Sequence, residues 1–386
     1  MEQPKFELGS DAVQQHRADR EALRSFPFLT HYPELTLDKW AKRFGDLYSV
    51  WLGQQLVVVI SSPDVAKDLM VTRGAICSSR KDMYIKSQCV FAGRGITVTP
   101  YNDMWRKHRR IASAWLHQKA VDKFSSAFDR EATDMANCLL EASHGGCSLV
   151  NPQPFAGRCS LNDMLTIVFG ARTASVQDPL VSTALRLARE FIQKLHHLVK
   201  TYGDMIESIH RRWSRGQEAP DCLATALLTM REEEELDDLD MVMMASAFMI
   251  GGVESLGTPH VASEDFVYNG QLIPKDTVLV LNTWTIHHDE GRFPEPEQFN
   301  PDHYVNDSLS SAQSSKLSDA DQRDHWMFGA GRRICPAILV AEREIFLAIS
   351  RILWSFTMEA EPGHPVDLKE YDGLSGRSPL QDSLEG

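Results

Sequence analysis

Phe328-Gly329-Ala330-Gly331-Arg332-Arg333-Ile334-Cys335 is the stretch on which the reading of the whole chain turns. It fits Phe-x-x-Gly-x-Arg-x-Cys, and the residues behind it, Ala337 to Phe356, have the pattern of a long helix. At average residue usage, four fixed positions recur by chance in a chain of this size with odds of roughly 10⁻³. The glycines permit a turn whose backbone comes close to a flat cofactor. A thiolate just ahead of a helix N-terminus is favoured by the helix dipole. A lone cysteine in a turn is usually a buried structural thiol, but this surrounding pattern argues for a ligating one.

The composition around the motif is that of a globular protein. The chain has 386 residues, with 23 Gly and 18 Pro, so collagen-like and low-complexity classes are excluded. Lys and Arg number 40 against 53 Asp and Glu, a net charge of −13, which excludes a broad basic surface for nucleic acid. The apolar run Met241 to Val253 is too short for the roughly 20 residues of a spanning helix. Met1 to Arg20 is polar and carries acidic residues, unlike a signal or transit peptide. The 7 cysteines form no CxxC pair, and their odd count fits a reducing, intracellular compartment.

Working outward from the motif, the pattern predicts a mainly α fold with small β-sheets, organised as a single domain over 1–386. Its margins are a polar segment at 1–25 and a Ser-rich surface loop at 308–318. Helices are expected over Leu35–Phe44, from Ser61 to Thr72, from Tyr101 to Leu140, and over Ser160–Phe169. Pro179–Ile209, Asp221–Met230, Met241–Ser255 and Ala337–Phe356 have the same character. Strands are expected at Leu47–Leu52, Leu56–Ile60, Phe266–Tyr268, Gln271–Ile273 and Thr277–Leu281, with Asn269-Gly270 as a hairpin turn. No alternating βαβ series is present, which excludes a parallel-sheet fold.

With these residues in view, the chain resembles the cytochrome P-450 haem-thiolate monooxygenases of filamentous fungi. The likeness is specific at Phe328–Cys335 and is supported by Trp105-x-x-x-Arg109, Pro259-His260, Asn269-Gly270 to Ile273-Pro274, and Phe299-Asn300-Pro301-Asp302. It implies a single haem domain in which Cys335 ligates the iron of haem b, and the thiolate pushes electron density that assists O–O cleavage. It implies that Trp105, Arg109, Arg333 and His260 hold the haem propionates and that Phe328 belongs to the cofactor loop. Guanidinium and indole N–H groups suit carboxylates. Glu254 and Ser255, at the end of the apolar helix, stand where the family delivers protons to bound oxygen, a task for a carboxylate and a hydroxyl beside water. The implied reaction inserts one atom of O₂ into a small hydrophobic organic substrate, with fungal secondary-metabolite biosynthesis as the setting. The implied partner is an NADPH-dependent flavoprotein reductase, steered by the basic cluster Arg106, Lys107, His108 and Arg110. Association with the endoplasmic reticulum is the family expectation, although this chain shows no membrane anchor.

The sequence also departs from that family. Its members carry Glu-x-x-Arg on a helix between the positions matching Ser255 and His260, whereas here only Leu256 to Pro259 intervene. Four residues give about one helical turn, or some 14 Å if extended, too little for the absent helices. The only Glu-x-x-Arg is Glu21–Arg24, far out of order, and His303 stands where the family's later Arg pairs with that Glu. Ala337 replaces a commoner Gly, and a second shortening falls between Phe191 and Tyr202. The incomplete pattern leaves a rival expectation: a non-catalytic remnant that binds haem weakly or not at all.

Overall fold

Val57, Val58, Val59 and Ile60 form an unbroken apolar run, and such a run suits a strand covered on both faces. The computed structural model describes residues 33–189, 194–253 and 259–359, and it bears this out. Helix α1 (Pro33–Phe44) leads into strands β1 (Leu47–Leu52) and β2 (Gln55–Ile60), an antiparallel hairpin pairing Leu47 with Ile60 and Leu52 with Gln55. Val58 and Ile60 enter one apolar cluster, with Leu69, Leu279 and Trp326. Val57 and Val59 enter another, with Ala41, Tyr48 and Val278. The remaining strands are β3 (Ser79–Arg80), β4 (His260–Val261), β5 (Phe266–Tyr268), β6 (Gln271–Ile273) and β7 (Val278–Leu281). A five-stranded sheet has the order β1-β2-β7-β4-β3, with β7 parallel to β2, and β5 pairs β6 alone. The β5–β6 turn is Asn269-Gly270, both at positive φ (49° and 75°), the conformation this dipeptide favours.

These strands belong to one of two compact units, whose described residues are 33–81 and Pro259–Cys335. The other, Asp82–Thr258 with Pro336–Pro362, is helical. Its elements are α2 (Asp103–Leu116), α3 (Gln118–Lys123), α4 (Ser125–Ala142), α5 (Gln153–Phe169), α6 (Pro179–Arg189), α7 (Lys194–Ser214), α8 (Leu223–Thr229), α9 (Asp238–Val253) and α10 (Ile338–Ser355). Helix α9 is its axis: Met241 to Ala245 and Phe248 to Ile250 are all buried and join the largest apolar cluster.

The continuous helix expected from Tyr101 to Leu140 is three helices, because caps interrupt it. The Asn102 side chain accepts from the Trp105 N–H at 2.9 Å and starts α2. His117, extended at φ −80° and ψ 162°, ends α2 and caps α3 with its ring. The stretch Ser61–Thr72 opens as expected, with Ser62 capping Pro63–Ala66, and then widens into a π-helical segment, Lys67–Thr72. The Ser-rich stretch also differs from a simple surface loop. Ser310 and Gln313 form a capping box around a turn at Ser311–Ser314, and Ser314 is fully buried. There its hydroxyl accepts the Asp324 N–H at 2.6 Å. Among the described residues no helix is long and apolar enough to cross a membrane.

Candidate functional site

The Cys loop is fixed by its glycines. Gly331 (φ 61°) passes so close to the chain at Met70 that an added Cβ would lie 1.9 Å from the Met70 carbonyl oxygen. No other residue fits there. Gly329 (φ 73°) turns the chain, Gly331–Arg333 makes a short 3₁₀ turn, and the Cys335 N–H closes the loop on the Phe328 carbonyl at 2.8 Å. Phe328 and Cys335 are half-buried, and Cys335 forms no disulfide. Behind the loop the Trp326 N–H donates to His287 Nε2 at 2.8 Å, which places the His287 proton on Nδ1. Burial, reinforced by His325 and Arg292, pushes His287 down to about 4, so it remains a neutral acceptor.

The same unit brings together two of the expected cofactor-binding residues and adds a third. Register pairs Arg80 of β3 with His260 of β4. The buried His260 ring uses Nδ1–H to donate to the Cys77 carbonyl at 2.7 Å, so its other nitrogen, Nε2, is the one left to meet a ligand. The Arg333 Nε–H donates to the neighbouring Ser78 carbonyl at 2.8 Å and is buried with it. Burial first, then the positive charges of Arg80 and Arg333, drive His260 down to about 3, and both of those charges are positive. Burial likewise lowers Arg80 to about 10. Two guanidinium groups thus flank a buried neutral imidazole, and guanidinium donors suit carboxylates. Arg80 was not legible in the sequence. Only the β3–β4 register reveals it.

The other expected residues lie elsewhere. Trp105 and Arg109 are four apart on α2 of the helical unit. Trp105 is buried with its indole N–H donating to the Ile96 carbonyl at 3.1 Å, and Arg109 is half-buried. Glu254 and Ser255 lie outside the described residues, as do Glu21–Arg24; α9 runs up to them and ends at Val253. The basic cluster read as a docking patch is corrected. His108 is fully buried, Arg106 pairs with Asp103 at 2.7 Å, and Arg110 pairs with Glu234 at 2.6 Å. Lys107 donates to the Glu234 backbone carbonyl, so Glu234 meets both Lys107 and Arg110 on the face that was to attract an acidic partner.

His303 sits in the 3₁₀ turn Pro301–Tyr304, capped by Asn300. It lines a cavity of about 250 Å³ with Arg292, Phe293, Tyr304, Asp307, Gln322 and Asp324. Arg292 Nη1 and, nearby in sequence, Trp326 Nε1 are buried with no hydrogen-bond partner.

Known proteins can now be set beside this geometry. The cytochrome P450 family profile matches residues 25–209 and 255–382. The chain belongs to the cytochrome P450 family, and its curated relatives are fungal monooxygenases. The cytochrome P450 monooxygenase virE of Hypocrea virens is 26% identical over 425 residues, covering 86% of this chain and 77% of that one. The monooxygenase verH of Penicillium polonicum is 25% identical, covering 92% and 83%. A zebra fish cytochrome P450 solved with abiraterone superposes with a TM-score of 0.67 at 18% identity, over 83% of this chain and 90% of the other, a likeness of fold.

Proposed function

We propose that this chain is a haem b monooxygenase that inserts one oxygen atom from O₂ into a small hydrophobic organic substrate, in fungal secondary-metabolite biosynthesis. Electrons would come from an NADPH-dependent flavoprotein reductase at the endoplasmic reticulum. The observation that carries this reading is the Cys335 loop beside the corner of Arg80, His260 and Arg333. When bound, haem supplies reductive activation of O₂, tuned by its thiolate ligand.

The protein's own residues have distinct tasks. Cys335 is the ligand, on a loop that Gly331 pins against the Met70 backbone, and Phe328 closes that loop as acceptor of the Cys335 N–H. Arg333 and Arg80 offer guanidinium donors to the propionates. His260 joins them through Nε2, and must carry a second proton to donate there, because Nδ1–H is committed to Cys77. A carboxylate in the corner supplies the negative charge that makes this protonation favourable. By family likeness Arg109 and Trp105 would hold propionate. Glu254 and Ser255 deliver protons in this reading.

The test is the difference spectrum of the reduced full chain with carbon monoxide. A thiolate-type Soret band, absent in Cys335→Ala, is the expected result; absence of haem incorporation in the parent chain overturns the reading. The second reading, a remnant that binds haem weakly or not at all, is favoured by the unpartnered buried Arg292 Nη1 and Trp326 Nε1. Buried donors left without acceptors cost about 1–3 kcal/mol each. The remnant reading expects low melting temperature and no Soret band at equimolar haem.

A further inference from the structure

Helix α2 buries an apolar face, Trp105, Ile111, Ala112 and Leu116, and one fully buried polar side chain, His108, interrupts it. Both nitrogens of that ring face acceptors. Nδ1 lies 3.3 Å from the Arg94 carbonyl, in the segment ahead of α2, and Nε2 lies 3.4 Å from Asp240 Oδ1, in the first turn of α9. Neither Nε2 nor that oxygen has a hydrogen-bond partner elsewhere among the described residues.

Asp240 is itself held from two sides. Its backbone N–H donates to Asp237 Oδ1 at 2.8 Å, the contact of an N-cap, and its Oδ2 accepts the Asp237 N–H at 3.4 Å. Arg94 Nη1 reaches Asp240 Oδ1 at 3.2 Å and pairs with Asp237 as well. Burial works against a charge on Asp240, yet His108 and then Arg94 hold its carboxyl below the usual carboxylate range. Apolar packing is not directional and tolerates a small slide or rotation of a helix. The approach of His108 to Asp240 does not, because a slip of one residue moves a side chain by about 1.5 Å of rise and about 100° of turn. Fixing register is the best-attested use of a buried polar pair.

We propose that His108 is a positioning residue: held between Arg94 and Asp240, it fixes the register and rotation of α2 and so the placement of its neighbour Arg109 for a haem propionate. The inference rests on the reading of the chain as a haem protein in which Arg109 meets propionate. It adds that the first turn of α9, the helix that runs towards Glu254 and Ser255, sets a cofactor-binding residue on α2. Lys107 and Arg110 reinforce the same attachment through Glu234, just ahead of that turn.

The experiment titrates the haem-free full chain with haem and with haem dimethyl ester, whose propionates carry no charge, and follows the Soret band. Both ligands offer Cys335 the same iron, so the difference between them isolates the propionate contacts. His108→Leu should weaken haem binding about 10- to 100-fold, the range seen when a partner that orients a ligand is removed, and should leave binding of the ester unchanged. Arg109→Leu should do the same, and the double variant should bind haem no more weakly than Arg109→Leu alone, because His108 acts through Arg109. Asp240→Asn keeps the shape of the side chain and removes its charge. The same selective loss is expected of it, which keeps the proposal testable if His108→Leu loses its far-ultraviolet circular dichroism. A folded His108 or Asp240 variant that binds haem as the parent does, or that weakens haem and ester alike, overturns the proposal and leaves the haem reading standing. Full addition of the two losses in the double variant overturns it in the same way. A parent chain that gives no Soret band with either ligand overturns both.

Discussion

In the unit that carries the Cys loop, Arg80, His260 and Arg333 share a corner where both charges acting on His260 are positive. In the helical unit, Glu131 is equally buried, yet it is met on every side. Arg172 approaches one carboxylate oxygen at 2.8 Å and Arg130 the same oxygen at 3.3 Å, and Asn162 donates to the other at 2.7 Å. Asn162 in turn accepts from both the N–H and the hydroxyl of Thr173 at 2.8 Å, and Arg172 continues to Asp134 at 2.5 Å. This network ties α4, α5 and the chain after α5 into one closed circuit of donors and acceptors. The first cluster turns charge of one sign on a buried imidazole, and the second alternates donors with acceptors. A closed network serves the fold, because every buried group is satisfied. Two positive charges beside a buried imidazole disfavour its protonation, and a ligand of the opposite sign would favour it.

The sharpest way to break the comparison is to open the closed network. Glu131→Ala removes the carboxylate that accepts from Asn162 and leaves Arg172 with Asp134 alone among the described residues. Arg172 and Arg130 keep 37% and 47% of their side chains exposed, so the cost falls mainly on the buried Asn162 and should be about 1–3 kcal/mol. Urea denaturation should show a loss of that size at pH 7. A loss under about 1 kcal/mol would mean that the network is incidental to stability.

Asp163 is next to Asn162 on α5 and shows a third solution. It is buried, its Oδ1 has no hydrogen-bond partner, and burial, followed by Glu344 and Glu131, pushes its carboxyl up to about 9. The acid is therefore neutral in the folded chain at pH 7 and ionised in the unfolded chain. Below about pH 4 both states are protonated and nothing is lost; as pH rises from there towards 9, stability falls. At pH 7 this amounts to as much as about 4 kcal/mol. Asp163→Asn should recover part of that at pH 7 and little at pH 4, read from denaturation midpoints at the two values. An equal effect at both pH values would show that the carboxyl ionises in the folded state.

How much of this was legible beforehand depended on whether a signal is local. The Cys loop was readable because Gly329, Gly331, Arg333 and Cys335 lie within seven positions, and the backbone demands those glycines. The β5–β6 hairpin was readable from Asn269-Gly270 for the same reason. Arg80 was not, since its role arises from pairing with His260, 180 residues away in sequence. The basic cluster on α2 misled because its neutralising partner, Glu234, is equally remote. The network around Glu131 joins residues 31 and 41 positions apart and leaves no periodic trace. Helix ends fell between these extremes. His117 and Phe124 interrupt α2–α4 through backbone conformation that propensity alone does not reveal.

The corner around His260 gives the finest test of the comparison. His260 is driven down to about 3 by burial and then by its two arginines, against an ordinary value of 6.5. For a base whose folded value is depressed, the unfolded chain takes up the proton first. Stability is therefore whole above pH 6.5 and falls as pH drops through 6.5 towards 3, by about 2 kcal/mol at pH 5. Haem-free protein should lose that amount between pH 7 and pH 5, and His260→Gln should lose correspondingly less over the same interval. With haem present the propionates offset the arginines, the imidazole regains its proton readily, and the acid loss should shrink. If Gln at 260 leaves the haem-free acid loss unchanged, the two arginines do not govern the protonation of His260. If haem leaves it unchanged in the parent chain, the carboxylates do not bind beside His260.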